Sequence, residues 1–303
     1  MIEVNNISKV YGKSMEGINK ISYTFEGGQV YGLVGPNGAG KTTLIRMLSG
    51  SHSQSYGSIS IDNYDIIKER EKALMQVGWM PDTSILNGYW RIIDQFEYFG
   101  VLRGLTDVEA RNKGIELLKQ FGIDQKLWNK TMRKLSLGQR RRVSLAFAVL
   151  NDPQNILMDE PYNGFDPDGI RMISEFIIKE KNRGKTVIVS SHILKELESV
   201  ADTVILIEKG RIVDSISKEI LEKSGTLKVT LEIGNPDDML GEMLQSMGDV
   251  RKIGNKYEIT CNAGEKIEDL NSSLVKRGYK VILFKSEKPT VEDFYFSKEK
   301  HES

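Results

Sequence analysis

Residues 35–43 read Gly-Pro-Asn-Gly-Ala-Gly-Lys-Thr-Thr, three glycines within six positions followed at once by a cation and two hydroxyls. The spacing is glycine, four residues, then Gly-Lys-Thr, which is the phosphate-loop pattern. A triphosphate needs many donors in a small volume, and side chains would crowd it. Gly35, Gly38 and Gly40 let backbone N–H groups approach closely, while Pro36, Asn37 and Ala39 fill the loop between them. Lys41 is placed to lie between β- and γ-phosphates, and the Thr42 hydroxyl suits Mg²⁺. The flanks agree. Val30-Tyr31-Gly32-Leu33-Val34 reads as a buried strand, and Thr43-Leu44-Ile45-Arg46-Met47-Leu48 as a helix whose N-terminus faces the anion. A strand, a tight loop and a helix in that order require an α/β fold built on a largely parallel sheet.

Composition narrows the class. The chain has 303 residues, enough for two domains. Its 42 basic and 42 acidic side chains cancel, so no broad cationic surface is expected and no nucleic-acid partner is assigned. Arg140-Arg141-Arg142 has no interleaved aromatics and reads as a solvated or salt-bridged face. A single cysteine, Cys261, excludes an intrachain disulfide and fits a reducing compartment. No signal peptide is expected from the N-terminus, where Glu3 comes almost at once. The longest apolar run, Val143–Leu150, is far short of the roughly 20 residues that span a bilayer.

Along the chain, Ile2–Val4 and Ile18–Phe25 alternate as strands, and Tyr11 lies between them. Taken on spacing alone, Tyr11 is strand-edge packing. Ser58–Asp62 and Val77–Met80 are further strands, the second stopped by Pro81-Asp82. From Ile85 to Leu150 the pattern is helical. One helix ends at Phe99-Gly100, a second starts at the Thr106 cap and runs to about Phe121, and a third begins at Ser136. Strands return at Asn155–Met158 and Thr186–Val189, with helices over 170–182 and 193–200. Thr203–Ile207 and Arg211–Val213 form a hairpin around Lys209-Gly210. Polar residues 215–225 are the expected linker. Beyond them, 226–303 reads βαββαβ, a small ferredoxin-like domain with helices near 236–247 and 265–277.

Four downstream segments complete a constellation. Leu135-Ser136-Leu137-Gly138-Gln139 precedes a helix; Asp159-Glu160 closes an apolar strand; Asn163-Gly164-Phe165-Asp166-Pro167 follows; His192 ends the next strand. Singly these are a cap, two solvated carboxylates, a turn and a packed histidine. Together, behind an intact phosphate loop, they resemble the ABC ATPases, the nucleotide-binding subunits of ATP-binding-cassette transporters, over residues 1 to about 214. Residues 35–43 resemble Walker A, 156–160 Walker B, and 135–139 the family signature, with Leu137 where glycine is usual. Tyr11 falls where the family stacks adenine. Asp166 matches the D-loop carboxylate and His192 the switch histidine.

The resemblance implies an α/β P-loop cassette over 1–214, with a helical subdomain at about 85–150. It implies ATP and Mg²⁺ as cofactors. Lys41 holds the phosphates, Glu160 polarises the attacking water and His192 senses the γ-phosphate. Thr42 and Asp159 hold the metal, together with Asp82, which stands where the family has glutamine. The signature lies away from its own phosphate loop, so Ser136, Gly138 and Gln139 would cap the ATP of a second copy, or of a homologous ATPase subunit, with Asp166 at that interface. A transmembrane permease subunit is the implied partner, docking beside Tyr89 and Trp90, while Phe96 is assigned to the subdomain's own core. The implied location is cytoplasmic, on the inner face of the cell membrane. Pro289-Thr290-Val291-Glu292-Asp293-Phe294 resembles the tail of exporter ATPases, so export is the expected direction. A soluble ABC ATPase unconnected with transport is the alternative. A degenerate cassette would rest on Asp82 alone.

Overall fold

The structure is a computed structural model that describes residues 1–12, 15–219, 226–262 and 267–287. The chain divides into two compact units, Met1–Ser215 and Ile216–Ser303. In the first unit, β1 (Ile2–Tyr11), β2 (Met15–Phe25), β4 (Tyr56–Ile61) and β5 (Tyr64–Asp65) form one sheet in the order β2-β1-β4-β5, with antiparallel pairings. A second sheet has the order β10-β9-β3-β8-β7-β6, from β3 (Val30–Val34), β6 (Val77–Met80), β7 (Asn155–Met158), β8 (Thr186–Ser191), β9 (Thr203–Glu208) and β10 (Arg211–Ser217). The pairings from β9 through β6 are parallel, as the apolar runs Val30–Val34, Asn155–Met158 and Thr186–Val189 require when both faces are covered. Leu44, Ile45, Met47 and Leu48 of α1 (Lys41–Leu48) join Leu33, Leu157, Ile188 and Ile205 of the parallel sheet in one buried cluster. Ile2, Ile7, Ile18 and Phe25 of the antiparallel sheet complete it, so the core lies between the two sheets.

Parallel register decides where the site can be. Val34 pairs with Ser191, Met158 with Val189 and Met80 with Met158. The loops that leave β3, β6, β7 and β8 therefore emerge together at one edge, the carboxyl ends where open α/β sheets bind ligands.

The helical stretch contains α3 (Ile92–Leu102), α4 (Asp107–Gln120) and α5 (Leu137–Ala148). Two capping boxes start the latter pair: Thr106 with Glu109, and Ser136 with Gln139. Each cap is worth about 1 kcal/mol. The expected stop at Phe99-Gly100 is corrected: α3 runs through Gly100 to Leu102, and the chain turns at Gly104, φ +87. Gly100 serves packing instead. A Cβ there would lie 2.4 Å from Cβ of Ala110, so its absence is what lets α4 approach α3. Phe96 is fully buried, with its ring 5.8 Å from that of Phe147.

One α-helix and one short strand were missed, along with the 3-10 turns Gln125–Leu127 and Met132–Lys134. Helix α2 (Arg70–Met75) buries only Ala73, so it carries no apolar stripe, and β5 is two residues long. The helix expected over 193–200 shrinks to α7 (Leu194–Glu198), after α6 (Pro167–Asn182). The stretch read as a linker begins inside β10, where Ile216 is buried; 220–225 lie outside the described residues.

The second unit has β11 (Thr226–Ile233), α8 (Asp238–Gln245), β12 (Asp249–Ile253), β13 (Lys256–Asn262), α9 (Ile267–Lys276) and β14 (Val281–Glu287). The strand order is β12-β13-β11-β14, antiparallel throughout, the split βαβ arrangement. Alternate residues Val229, Leu231 and Ile233 meet Leu240, Leu244, Leu270 and Leu274 of the two helices. The tail motif Pro289–Phe294 lies outside the described residues.

Candidate functional site

At that edge is a cavity of about 630 Å³ lined by Tyr11, Gly17, residues 37–43, Asp82, Glu160, Asn163 and His192. Gly35 is a glycine because a Cβ would sit 2.1 Å from the Ile207 carbonyl oxygen. Gly40 takes φ +114 as the N-cap of α1, and no side chain caps that helix. Its first N–H groups are thus left to the cavity, together with the positive end of the helix dipole.

Lys41 is buried, and its Nζ donates to Gly35 O at 2.6 Å and Pro36 O at 3.3 Å. Burial pushes its pKa down, against the pull of Glu160 and Asp159. Thr42 Oγ1 donates to Asp159 Oδ1 at 3.0 Å, and Ser190 Oγ donates to the same oxygen at 2.7 Å. Burial pushes the Asp159 carboxyl up, and those two hydroxyls oppose the shift. Glu160 lies between a histidine and a lysine. Its Oε2 is 2.8 Å from His192 Nδ1, and its Oε1 is 3.9 Å from Lys41 Nζ. Its backbone is in the left-handed region, φ +47, which costs a non-glycine residue about 1–3 kcal/mol.

The structure brings Tyr11, Lys41, Thr42, Asp82, Glu160 and His192 to one cavity, with Asp159 bonded behind Thr42. It does not bring Ser136, Gly138, Gln139 or Asp166 there. Ser136 caps α5 and Asp166 caps α6, accepting from Gly169 N at 2.9 Å. Asp82 lines the cavity, but its Oδ1 accepts from Arg141 at 3.1 Å. Among the expected metal ligands it is the one already paired with a cation.

Of the two readings of the arginine triple, Arg141 takes the salt-bridged one, with Asp82, and its side chain is only 5% exposed, so it lies inside rather than on a wet face. Consecutive helix positions point about 100° apart, so three arginines in a row cannot share one wet face. With α5 buried from Val143 onward, one of them had to face inward. Ser190 and Gly17 were also missed as site residues, and nothing in their local sequence marks them; Asn163 opens the segment 163–167 of the constellation, in which only Asp166 was singled out.

Among the described residues no cluster of three or more His, Cys, Asp or Glu side chains could hold a metal ion by itself. Mg²⁺ keeps several waters and takes one or two carboxylates plus phosphate oxygens. The hydroxyl of Thr42 against the carboxylate of Asp159 is a fitting hard-oxygen set.

Among the described residues, no helix is long and apolar enough to cross a membrane. The ABC transporter family profile matches residues 18–163. An uncharacterised ABC transporter ATP-binding protein of Bacillus subtilis, YhcH, is 35% identical over 75% of this chain and 73% of its own length. The linearmycin resistance ATP-binding protein LnrL of the same organism is 33% identical over 70% and 68%. The Nod factor export ATP-binding protein I of Burkholderia lata is 33% identical over 78% and 77%. Among solved structures, an ATP-binding subunit of an ABC transporter superposes with TM-score 0.67 at 25% identity, covering 74% of this chain and 92% of that one. CbiO1 of Clostridium perfringens, part of an ABC transporter complex, superposes at 0.61 with 26% identity, over 74% and 94%. A phosphate loop, the Asp159-Glu160 pair and a histidine converge at the carboxyl edge of a parallel sheet, and relatives at 33–35% identity match about three quarters of the chain: this protein is an ATP-binding subunit of the ABC transporter family.

Proposed function

We propose that this subunit hydrolyses ATP with Mg²⁺ and that two copies, each closing on the other's nucleotide, drive export through a separate transmembrane chain. The observation that carries the reading is the Glu160 carboxylate held between His192 and Lys41 at the mouth of the phosphate loop. Phosphoryl transfer to water asks mainly for positioning and charge neutralisation. Lys41 and the uncapped N–H groups of α1 would hold the β- and γ-phosphates, and Tyr11 would stack on adenine. Thr42 and Asp159 would hold Mg²⁺, which when bound would supply charge neutralisation to the phosphates. Glu160 accepts hydrogen bonds from the attacking water and orients it. His192, fixed by Glu160, reaches the γ-phosphate from the next strand.

Ser136, Gly138 and Gln139 lie outside the cavity of their own chain. A second copy, arranged head to tail, would give them a phosphate to cap, with Asp166 between the two sites. Cleavage of the γ-phosphate removes what holds the copies together. Export, rather than import, is favoured by relatives named for resistance and for Nod factor export, and by the tail at 289–294. Tyr89 and Trp90, both exposed, supply an apolar surface for the membrane chain.

The test is Glu160→Gln with ATP and Mg²⁺ on size-exclusion chromatography. Turnover should fall by about 10²–10⁴, the usual worth of a general base, while ATP stays bound and the protein elutes as a dimer. A monomer with ATP present overturns the two-copy arrangement; undiminished turnover overturns the role of Glu160.

A further inference from the structure

Arg141 makes more bonds than any neutral packing role asks for. Its Nε donates to Asn163 O at 3.0 Å. One terminal nitrogen donates to Pro81 O at 3.1 Å and to Asp82 O. The other donates to Glu160 O at 2.7 Å and to Asp82 Oδ1 at 3.1 Å. The guanidinium thus spends all five of its contacts on two loops: the one after β6 and the one that joins β7 to α6. It comes from the first turns of α5, the helix that Ser136 caps.

The contact to Glu160 has particular weight. Glu160 sits in the left-handed region at φ +47, a conformation that persists only when its surroundings hold it. Its N–H donates to Ser190 Oγ at 2.9 Å, and its C=O accepts from Arg141. Both ends of the strained residue are pinned by side chains, one from the parallel sheet and one from the signature helix. Rotation of that peptide would swing the carboxylate away from His192 and Lys41.

We propose that Arg141 is a positioning residue for hydrolysis, holding the backbone of Glu160 in the conformation that aims its carboxylate at the reacting phosphate and tying that aim to the helix that begins at Ser136. The aspartate at position 82 follows from the same contact. A buried guanidinium needs a counter-charge, and Asp82 supplies one where glutamine could not. The inference rests on Glu160 orienting the attacking water.

The experiment is a double-mutant cycle on the full chain, with Arg141→Lys, Glu160→Gln and the pair, read by single-turnover hydrolysis of MgATP and equilibrium binding of a fluorescent ATP analogue. Arg141→Gln is made in parallel, since it keeps two amide donors without the charge. Loss of an outer-shell partner typically costs 10- to 100-fold. Arg141→Lys should lower the hydrolysis rate at least tenfold, leave the dissociation constant within about threefold, and add nothing further once Glu160 is glutamine. A wild-type rate for both Arg141 variants overturns the inference. So does an additive loss in the double variant, because Arg141 would then act elsewhere. So does a binding loss that parallels the rate loss, because the role would then be structural. Full turnover in Glu160→Gln alone would instead remove the reading of Glu160 on which the inference stands.

Discussion

The hydroxyl of Thr42 donates to Oδ1 of Asp159 across 3.0 Å, joining the first turn of α1 to the end of β7. Asp159 is 1% exposed, and Ser190 donates to the same oxygen at 2.7 Å. Two strands and the phosphate loop are therefore joined at one carboxylate, which is the preorganisation a metal-phosphate site needs.

Thr42→Ala should raise the Mg²⁺ concentration that half-saturates ATP turnover by about tenfold or more, in the range typical of shell partners at metal sites. A Mg²⁺ titration of the ATPase rate at fixed ATP checks it. An unchanged midpoint would place the metal elsewhere.

Lys41→Ala should weaken ATP binding by about 10- to 100-fold, the worth of a charge-assisted hydrogen bond of about 1.5–3 kcal/mol. It should also free the Gly35 and Pro36 carbonyls that the ammonium now satisfies. Isothermal titration with a non-hydrolysable ATP analogue is the measurement.

Acid stability should report on Asp152. Burial would raise its carboxyl, but Arg183, at 2.7 Å, and Lys185 more than offset that and hold it at about 2, from an ordinary 3.8. A depressed folded-state pKa contributes stability that is complete above the unfolded value and is lost as pH falls through the folded one. The window is therefore between about pH 4 and pH 2. Asp152 is half exposed, so solvent screening keeps the contribution small. Asp152→Asn should flatten the pH dependence of urea unfolding within that window and leave its slope above pH 5 unchanged.

Gly114→Ala tests the contact between α3 and α4. An exposed helix would gain about 1 kcal/mol from the exchange. Here a Cβ would lie 2.7 Å from Cβ of Phe96, so overpacking of about 1–3 kcal/mol should dominate. Thermal unfolding should shift downward; an upward shift would mean the two helices separate freely.

Much of this was legible in the residues. The phosphate loop with its strand and helix, the Ser136 and Thr106 caps, and the second unit's βαββαβ order all appear where local chemistry placed them, because each rests on turn geometry or a strong period. What escaped rests on contacts distant in the chain. Gly100 looked like a helix stop, and only the approach of Ala110 shows why it is mid-helix. Arg141 reads as part of a solvated or salt-bridged face, and its burial escapes because its partners lie 19 to 60 positions away. Helix α2 carries too few apolar residues for any period to reveal it. Ser190 is one hydroxyl in a strand until parallel pairing sets it beside Asp159.

The central claim is that Ser136 of one copy closes on the nucleotide held by the phosphate loop of another. Asn37 and Leu137 are both exposed, at the loop and beside the cap. In a Cys261→Ser, Glu160→Gln background, Asn37→Cys and Leu137→Cys should form a disulfide between copies when MgATP is added, since bridging needs Cα atoms within about 7 Å. The account predicts a covalent dimer on a non-reducing gel with ATP and none without it. A monomer under both conditions, or a dimer indifferent to ATP, would contradict it.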